Sequence, residues 1–187
     1  MTVTESQTKL NPRTGALTGK EIKYSERKLK DLSGIFLDEI SWKNMDPDTP
    51  VYSVQSFMPV EEGSRGGLFF GNTTIFPGMV GNEYFMTRGH FHKEFVSSEY
   101  YWCVEGEGML ILMNTGRDLW AEKMTPGSLH YIPGDIAHRV ANTGTEKLVF
   151  NACWTAEAGH DYDTINQQGF SARLLEVDGK PQLVKSE

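Results

Sequence analysis

At 187 residues, with 23% charged and 39% hydrophobic positions, the chain has the balance of a globular protein with room for one full core. A formal net charge of -7 argues against nucleic acid as a partner, because phosphate backbones need a basic face. No apolar run approaches the roughly 18 residues of a membrane span, and the polar residues 1–20 lack the apolar stretch of a secretory signal, so the cytoplasm is the expected location.

Residues 1–20 show no sustained periodicity and read as an arm across the surface. Ser25 is placed to cap a helical turn over 26–31, with Leu29 and Leu32 on its apolar side and Gly34 ending it. A second short helix fits 38–45, before the breaker run Asp46, Pro47, Asp48, Pro50. Lys20, Lys23, Arg27, Lys28 and Lys30 are interleaved with Glu21, Glu26 and Asp31, so this basic cluster reads as a solvated helix face rather than a polyanion site.

From residue 51 the pattern changes. Strand-like runs at 51–57, 68–76, 84–92, 100–105, 109–114, 119–124, 129–132, 138–142 and 148–154 are separated by turn-forming groups such as Pro77-Gly78, Pro126-Gly127 and Asn142-Thr143-Gly144. Short strands at a spacing of roughly 8 to 12 residues predict an antiparallel sandwich or barrel. A last hairpin is expected over 173–177 and 183–185 through Asp178-Gly179. Cys103 and Cys153 sit inside strand runs and read as buried thiols rather than a disulfide. The expected organisation is therefore one all-β domain: an arm with short helices over 1–50, a barrel over 51–170 and a C-terminal hairpin over 171–187.

Within the barrel, His90 and His92 stand at i and i+2, so on an extended strand their imidazoles share one face while Phe91 takes the other. Glu99 opens the next strand, and His138 arrives 39 residues after Glu99. Three imidazoles and a carboxylate form a facial ligand set for one divalent metal that leaves positions open. Glu99 is preferred to Glu94 as the carboxylate, since a strand fixes a ligand better than a loop. The donor set suits Fe(II), Mn(II), Ni(II) or Zn(II), and Fe(II) is placed first. His130 reads as structural, whereas His160 belongs to the polar aromatic cluster Gly159-His160-Asp161-Tyr162.

The spacing around these ligands resembles the two cupin motifs. Gly127, Pro133, His138 and Asn142 match the second, with Asp135 where glycine is usual; in the first, six residues separate His92 from Glu99 where three or four are common. Thr73-Thr74 with Pro77-Gly78, Thr87-Arg88-Gly89-His90-Phe91-His92, Ala137-His138-Arg139, and Ala158-Gly159-His160-Asp161-Tyr162 with Thr164-Ile165 narrow the likeness. Over about residues 52–170 the chain is similar to the cupin-type glucose-6-phosphate isomerases, the metal-dependent family first recognised in archaea. That resemblance implies metal at His90, His92, Glu99 and His138. It implies sugar phosphate in the barrel mouth, with Thr73, Thr87 and Gly89 at the phosphate and Tyr52, Tyr101, His160 and Tyr162 around the sugar. Trp154 stands where the family tends to have tyrosine, and Arg88 where lysine is common. Glu99, His160 and Tyr162 are the expected catalytic residues, and a homodimer is expected. The competing functions are a cupin dioxygenase, which leaves the threonines and the cluster from Gly159 to Tyr162 without a role, and a non-catalytic sugar-binding cupin.

Overall fold

The computed structural model describes residues 1–186, and its architecture follows from side chains that alternate between two environments. The strands, in chain order, are β1 (Thr8–Leu10), β2 (Leu17–Gly19), β3 (Ile22–Lys28), β4 (Pro50–Phe57), β5 (Leu68–Ile75), β6 (Met79–Val80), β7 (Glu83–Tyr84), β8 (Glu99–Glu105), β9 (Gly108–Met113), β10 (Leu119–Met124), β11 (Leu129–Ile132), β12 (Ala137–Asn142), β13 (Leu148–Thr155), β14 (Ala172–Val177) and β15 (Lys180–Lys185). Two six-residue helices, α1 (Glu39–Asn44) and α2 (Asp163–Gln168), and one 3-10 turn at Leu29–Leu32 complete the elements.

One wall is an antiparallel sheet in the order β11-β8-β13-β5-β4-β3. The opposing wall is built from β10-β9-β12 and β15-β14-β7-β6, and single bridges from Met86 to Ala141 and from His90 to His138 carry the chain between β7 and β12. The all-β antiparallel architecture expected from the strand spacing is the one observed. A continuous core fills the space between the walls. Ile75, Met86, Leu110, Leu112 and Phe150 are almost completely buried there, each worth about 1.5–3 kcal/mol relative to an exposed position.

Three expectations change. The helical turn expected over 26–31 is absent, because residues 22–28 form β3 and pair with β4, Arg27 opposite Tyr52 and Ser25 opposite Val54. Period 2 wins over the capping signal, since pairing with β4 satisfies the backbone along the whole segment, and only residues 29–32 turn. The strand expected over 84–92 is also broken. After β7 the chain makes single bridges at Met86, His90 and Phe91, with Gly89 at φ +80 interrupting the ladder. Finally, α2 after β13 has no counterpart in the sequence reading.

The N-terminal arm is pinned to the outside of the six-stranded sheet. Gly15, at φ +69, sits over the buried amides of Asn72 and Asn151, which bond at 2.9 Å. A Cβ at Gly15 would come within 2.6 Å of Asn72 Nδ2, so only glycine allows this approach. The terminal hairpin forms as expected, turning through Asp178 and Gly179, both at positive φ.

Candidate active site

Four side chains converge at the floor of one cavity. One donor atom from each of His90, His92, Glu99 and His138 lies within 4.8 Å of all the others. Each is placed by a local feature of the chain. His90 and His138 exchange backbone hydrogen bonds, 3.2 Å from His90 N to His138 O and 3.0 Å from His138 N to His90 O, which brings their rings to 4.4 Å. Glu99 is the first residue of β8 and is paired on both sides, with Ile132 of β11 and Trp154 of β13. Glu94, the rival carboxylate, is exposed in the connecting loop, outside the cluster.

The donors are set up for a cation. His92 Nδ1 donates to the Ser97 carbonyl at 2.7 Å and His138 Nδ1 to the Ile136 carbonyl at 3.1 Å, which leaves both Nε2 atoms as lone-pair donors facing inward. Glu99 Oε1 stands 2.5 Å from His138 Nε2 and 3.4 Å from His92 Nε2. Glu99 Oε1 and His138 Nε2 are nevertheless fully buried without an aligned hydrogen bond. Two lone-pair atoms aimed at one point, each orphaned, are what a shared metal ion would satisfy. The residues therefore fit the group.

The electrostatics of Glu99 and His90 agree. Burial alone would raise the Glu99 carboxyl, but His138 and His92 beside it outweigh burial and hold it well below the usual carboxylate range. Burial, reinforced by His138 and His160, drives His90 far below the ordinary imidazole value, so it stands neutral and able to ligate. For His92, burial works downward, and the Glu99 carboxylate and the Ser97 carbonyl reverse it to a net rise.

Above this floor the cavity measures about 360 Å³, and Tyr52, Thr73, Thr87, Gly89, Tyr101, His160 and Tyr162 all line it. Tyr52 and Thr73 reach it from β4 and β5. His160 and Tyr162 reach it because Asp161 between them faces away. Phe91 and Asp161 exchange backbone hydrogen bonds, and the Asp161 carboxylate accepts from Asp163 N, Thr164 N and Thr164 Oγ1 at the start of α2. That cap turns the two flanking rings inward, parallel and 5.6 Å apart, with His160 4.5 Å from His90. Burial raises the phenols of Tyr52 and Tyr162, and burial with the Glu99 carboxylate raises Tyr101 further, so all three remain hydrogen-bond donors.

His130 lies outside the cluster: it is clamped between Glu122 Oε2 at 2.6 Å and Ser128 Oγ at 2.9 Å, in keeping with a structural role. Among the lining residues that sequence reading missed are Ser25, Arg27 and Glu62. In the sequence Ser25 reads as a helix cap and Arg27 as part of a solvated helix face, whereas the alternation along 22–28 is the signal for a strand with Ser25 and Arg27 on one side. With Arg88, Arg27 makes the cavity mouth basic in a chain of net charge -7.

The family model described as glucose-6-phosphate isomerase matches residues 26–187. Glucose-6-phosphate isomerase of Thermococcus litoralis is 40% identical over 174 residues, covering 92% of this chain and 90% of that protein. The enzyme of the same name from Pyrococcus furiosus is 38% identical over 178 residues, covering 94% and 92%. Among solved structures, an oxalate decarboxylase from Bacillus subtilis superposes with a TM-score of 0.47 at 18% identity, over 59% of this chain and 26% of that one, a likeness too distant to bear on chemistry.

Proposed function

This chain belongs to the glucose-6-phosphate isomerase family, and from that premise we propose that it interconverts glucose 6-phosphate and fructose 6-phosphate with one divalent metal held by His90, His92, Glu99 and His138. The observation that carries the reading is the coincidence of the orphaned donors at the cavity floor with threonine hydroxyls, the Thr87–Gly89 loop and two inward rings on its walls. A bound divalent ion would act as a Lewis acid on the sugar oxygens; Fe(II) is our first assignment, and Mn(II), Ni(II) and Zn(II) suit the same donor set.

In this reading the basic mouth and the hydroxyls of Thr73 and Thr87, with the Gly89 N–H, receive the phosphate. Tyr52, Tyr101 and Trp154 hold the open-chain sugar along the wall. Glu99 takes the proton from C2, and the electron pair left behind forms the C1–C2 double bond of a cis-enediol as the C1 carbonyl pair moves to O1 and is protonated. Glu99, after exchange with solvent, returns a proton to C1 as O2 gives up its own. His160 and Tyr162 pass hydroxyl protons during ring opening and enolisation. A direct hydride shift from carbon to carbon is the competing route, in which Glu99 serves only as a ligand, because a carboxylate tightly bound to a metal is a poor base. We place the enzyme in the cytoplasm and assign it a homodimeric state, which the exposed aromatic face around Tyr100 and Tyr131 supports.

The test is a coupled assay of fructose 6-phosphate conversion with metal analysis on the same preparation. Turnover that is lost on chelation and restored by a divalent metal is expected, and absence of turnover in the metal-loaded protein overturns the assignment. Running the reaction in deuterium oxide separates the routes. Solvent deuterium in the product supports Glu99 as base, and Glu99→Gln with metal content retained is then expected to lower kcat by at least about a hundredfold.

A further inference from the structure

Arg139 follows the ligand His138 on β12 and is only 8% exposed, yet no carboxylate pairs with it among the described residues. A buried guanidinium without an anion is costly, so what it does hold is informative. Its Nη2 donates to the Arg88 carbonyl at 2.5 Å, its Nη1 lies 3.2 Å from Met86 Sδ, and its Cζ stands 4.2 Å over the Phe170 ring. Its Nε has no partner. Burial lowers the guanidinium to about 10, so it remains a cation at neutral pH.

The loop from Thr87 to Gly89 lies directly on this side chain. Three consecutive residues of β12 hold three successive parts of it. Val140 exchanges hydrogen bonds with Thr87, its N–H donating to Thr87 Oγ1 at 3.1 Å and its carbonyl accepting from Thr87 N at 2.9 Å. His138 holds His90, and Arg139 holds the middle. Because Thr87 Oγ1 already accepts from Val140, its hydroxyl proton is free to be donated elsewhere. The Arg88–Gly89 peptide is trans, so the Arg88 carbonyl and the Gly89 N–H point in opposite directions. With the carbonyl drawn down onto Arg139, the N–H faces up, on the side where Gly89 lines the cavity. The underside has no spare room: a Cβ at Gly89 would fall 2.8 Å from the Phe170 ring and 2.9 Å from Arg139 Nε.

We propose that Arg139 is a positioning residue for the anion end of the cavity, fixing the Arg88–Gly89 peptide so that the Gly89 N–H is presented to the substrate's phosphate. This rests on the sugar-phosphate reading above. Arg139 touches no substrate; its effect passes through one peptide plane and so falls on binding of the anionic group.

The test compares Arg139→Met, Arg139→Lys and Phe170→Leu with the wild type, each assayed with metal content and Tm determined. KM for glucose 6-phosphate and Ki for inorganic phosphate are measured beside kcat. Loss of a donor that orients a charge-assisted contact is expected to raise both KM and Ki about tenfold in Arg139→Met, with kcat per bound metal within about threefold. Arg139→Lys, which keeps a cationic donor, recovers part of the loss. A merely structural role would lower Tm and the active fraction without moving KM and Ki together. Unchanged KM and Ki in a folded, metal-replete Arg139→Met overturn the proposal. Should that variant not fold, Phe170→Leu removes the ring beneath the guanidinium, and a rise of about threefold in KM and Ki is expected; unchanged values there overturn it equally. A wild type without isomerase activity overturns the underlying reading, whereas an active wild type with unshifted variants overturns only the role of Arg139.

Discussion

Glu99 stands buried among imidazoles, at the start of a strand whose inward residues alternate along one face. Tyr101 continues that face into the cavity, and Cys103, two residues further, is packed into the core with 2% of its surface exposed. The same burial acts on each side chain according to what surrounds it: beside His138 and His92 the carboxyl is held down, while burial pushes the unpaired Cys103 thiol up from 9.0 to about 11. The pH consequence has a definite sign. A group whose folded value is raised contributes its stability fully below the unfolded value and loses it as pH rises through the folded one. For Cys103 the window runs from 9.0 to about 11, where the unfolded chain releases the proton before the folded one does. Tm measured by circular dichroism should therefore fall faster in the wild type than in Cys103→Ala across that window, and parallel curves would remove Cys103 from the account. The candidate ligand residues were legible one by one in the sequence, because an i, i+2 histidine pair and a strand-opening glutamate are local patterns. Arg139 was not legible as anything but a motif neighbour, since its partner is a carbonyl 51 positions away.

Elements far apart in sequence are tied together by a few buried polar contacts, and Glu83 on β7 is the clearest. With 2% of its surface exposed, it accepts from Arg173 Nη1 of β14 at 2.8 Å and from Leu37 N ahead of α1 at 2.5 Å. Arg173 also donates to the Ile35 carbonyl at 3.1 Å, so one carboxylate and one guanidinium join β7, β14 and the segment before α1. Removing the carboxylate leaves the Arg173 guanidinium, about a quarter exposed, without its counter-ion. Glu83→Ala should lose about 2–3 kcal/mol, less than for a fully buried pair because water reaches Arg173. Urea unfolding with an unchanged m value and a lower midpoint is the expected signature, and a midpoint shift below about 0.5 kcal/mol would show that the contact is dispensable. At this scale the sequence located most of the strands through period 2 and turn residues. It misassigned β3 because a short amphipathic segment with a capping serine satisfies two periodicities, and only pairing with β4 chooses between them.

The molecule as a whole keeps its chemistry on the inner side of the six-stranded sheet and leaves aromatic surface on the outer side. Tyr100 and Tyr131, 47% and 52% exposed, lie with ring centroids 5.3 Å apart, and Leu129 beside them is 64% exposed. All three sit on β8 and on β11, the open edge of the sheet. Exposed apolar surface next to an unpaired edge is a natural seat for a second copy. Tyr131→Glu is expected to weaken self-association by on the order of tenfold or more, read as a shift from dimer to monomer in sedimentation at micromolar concentration, and an unchanged distribution would move the interface elsewhere. By itself the sequence determined the all-β class and the four metal-ligating candidates, because each rests on short-range spacing that survives without knowledge of the fold, while the expected wall residues came from the family resemblance. Tertiary structure alone decided that Arg27 faces the cavity rather than solvent, that Asp161 turns His160 and Tyr162 inward by capping α2, and that Arg139 lies beneath the Thr87–Gly89 loop. Those placements depend on strand register and on which backbone groups remain to be satisfied in the packed molecule, and neither is written in local spacing.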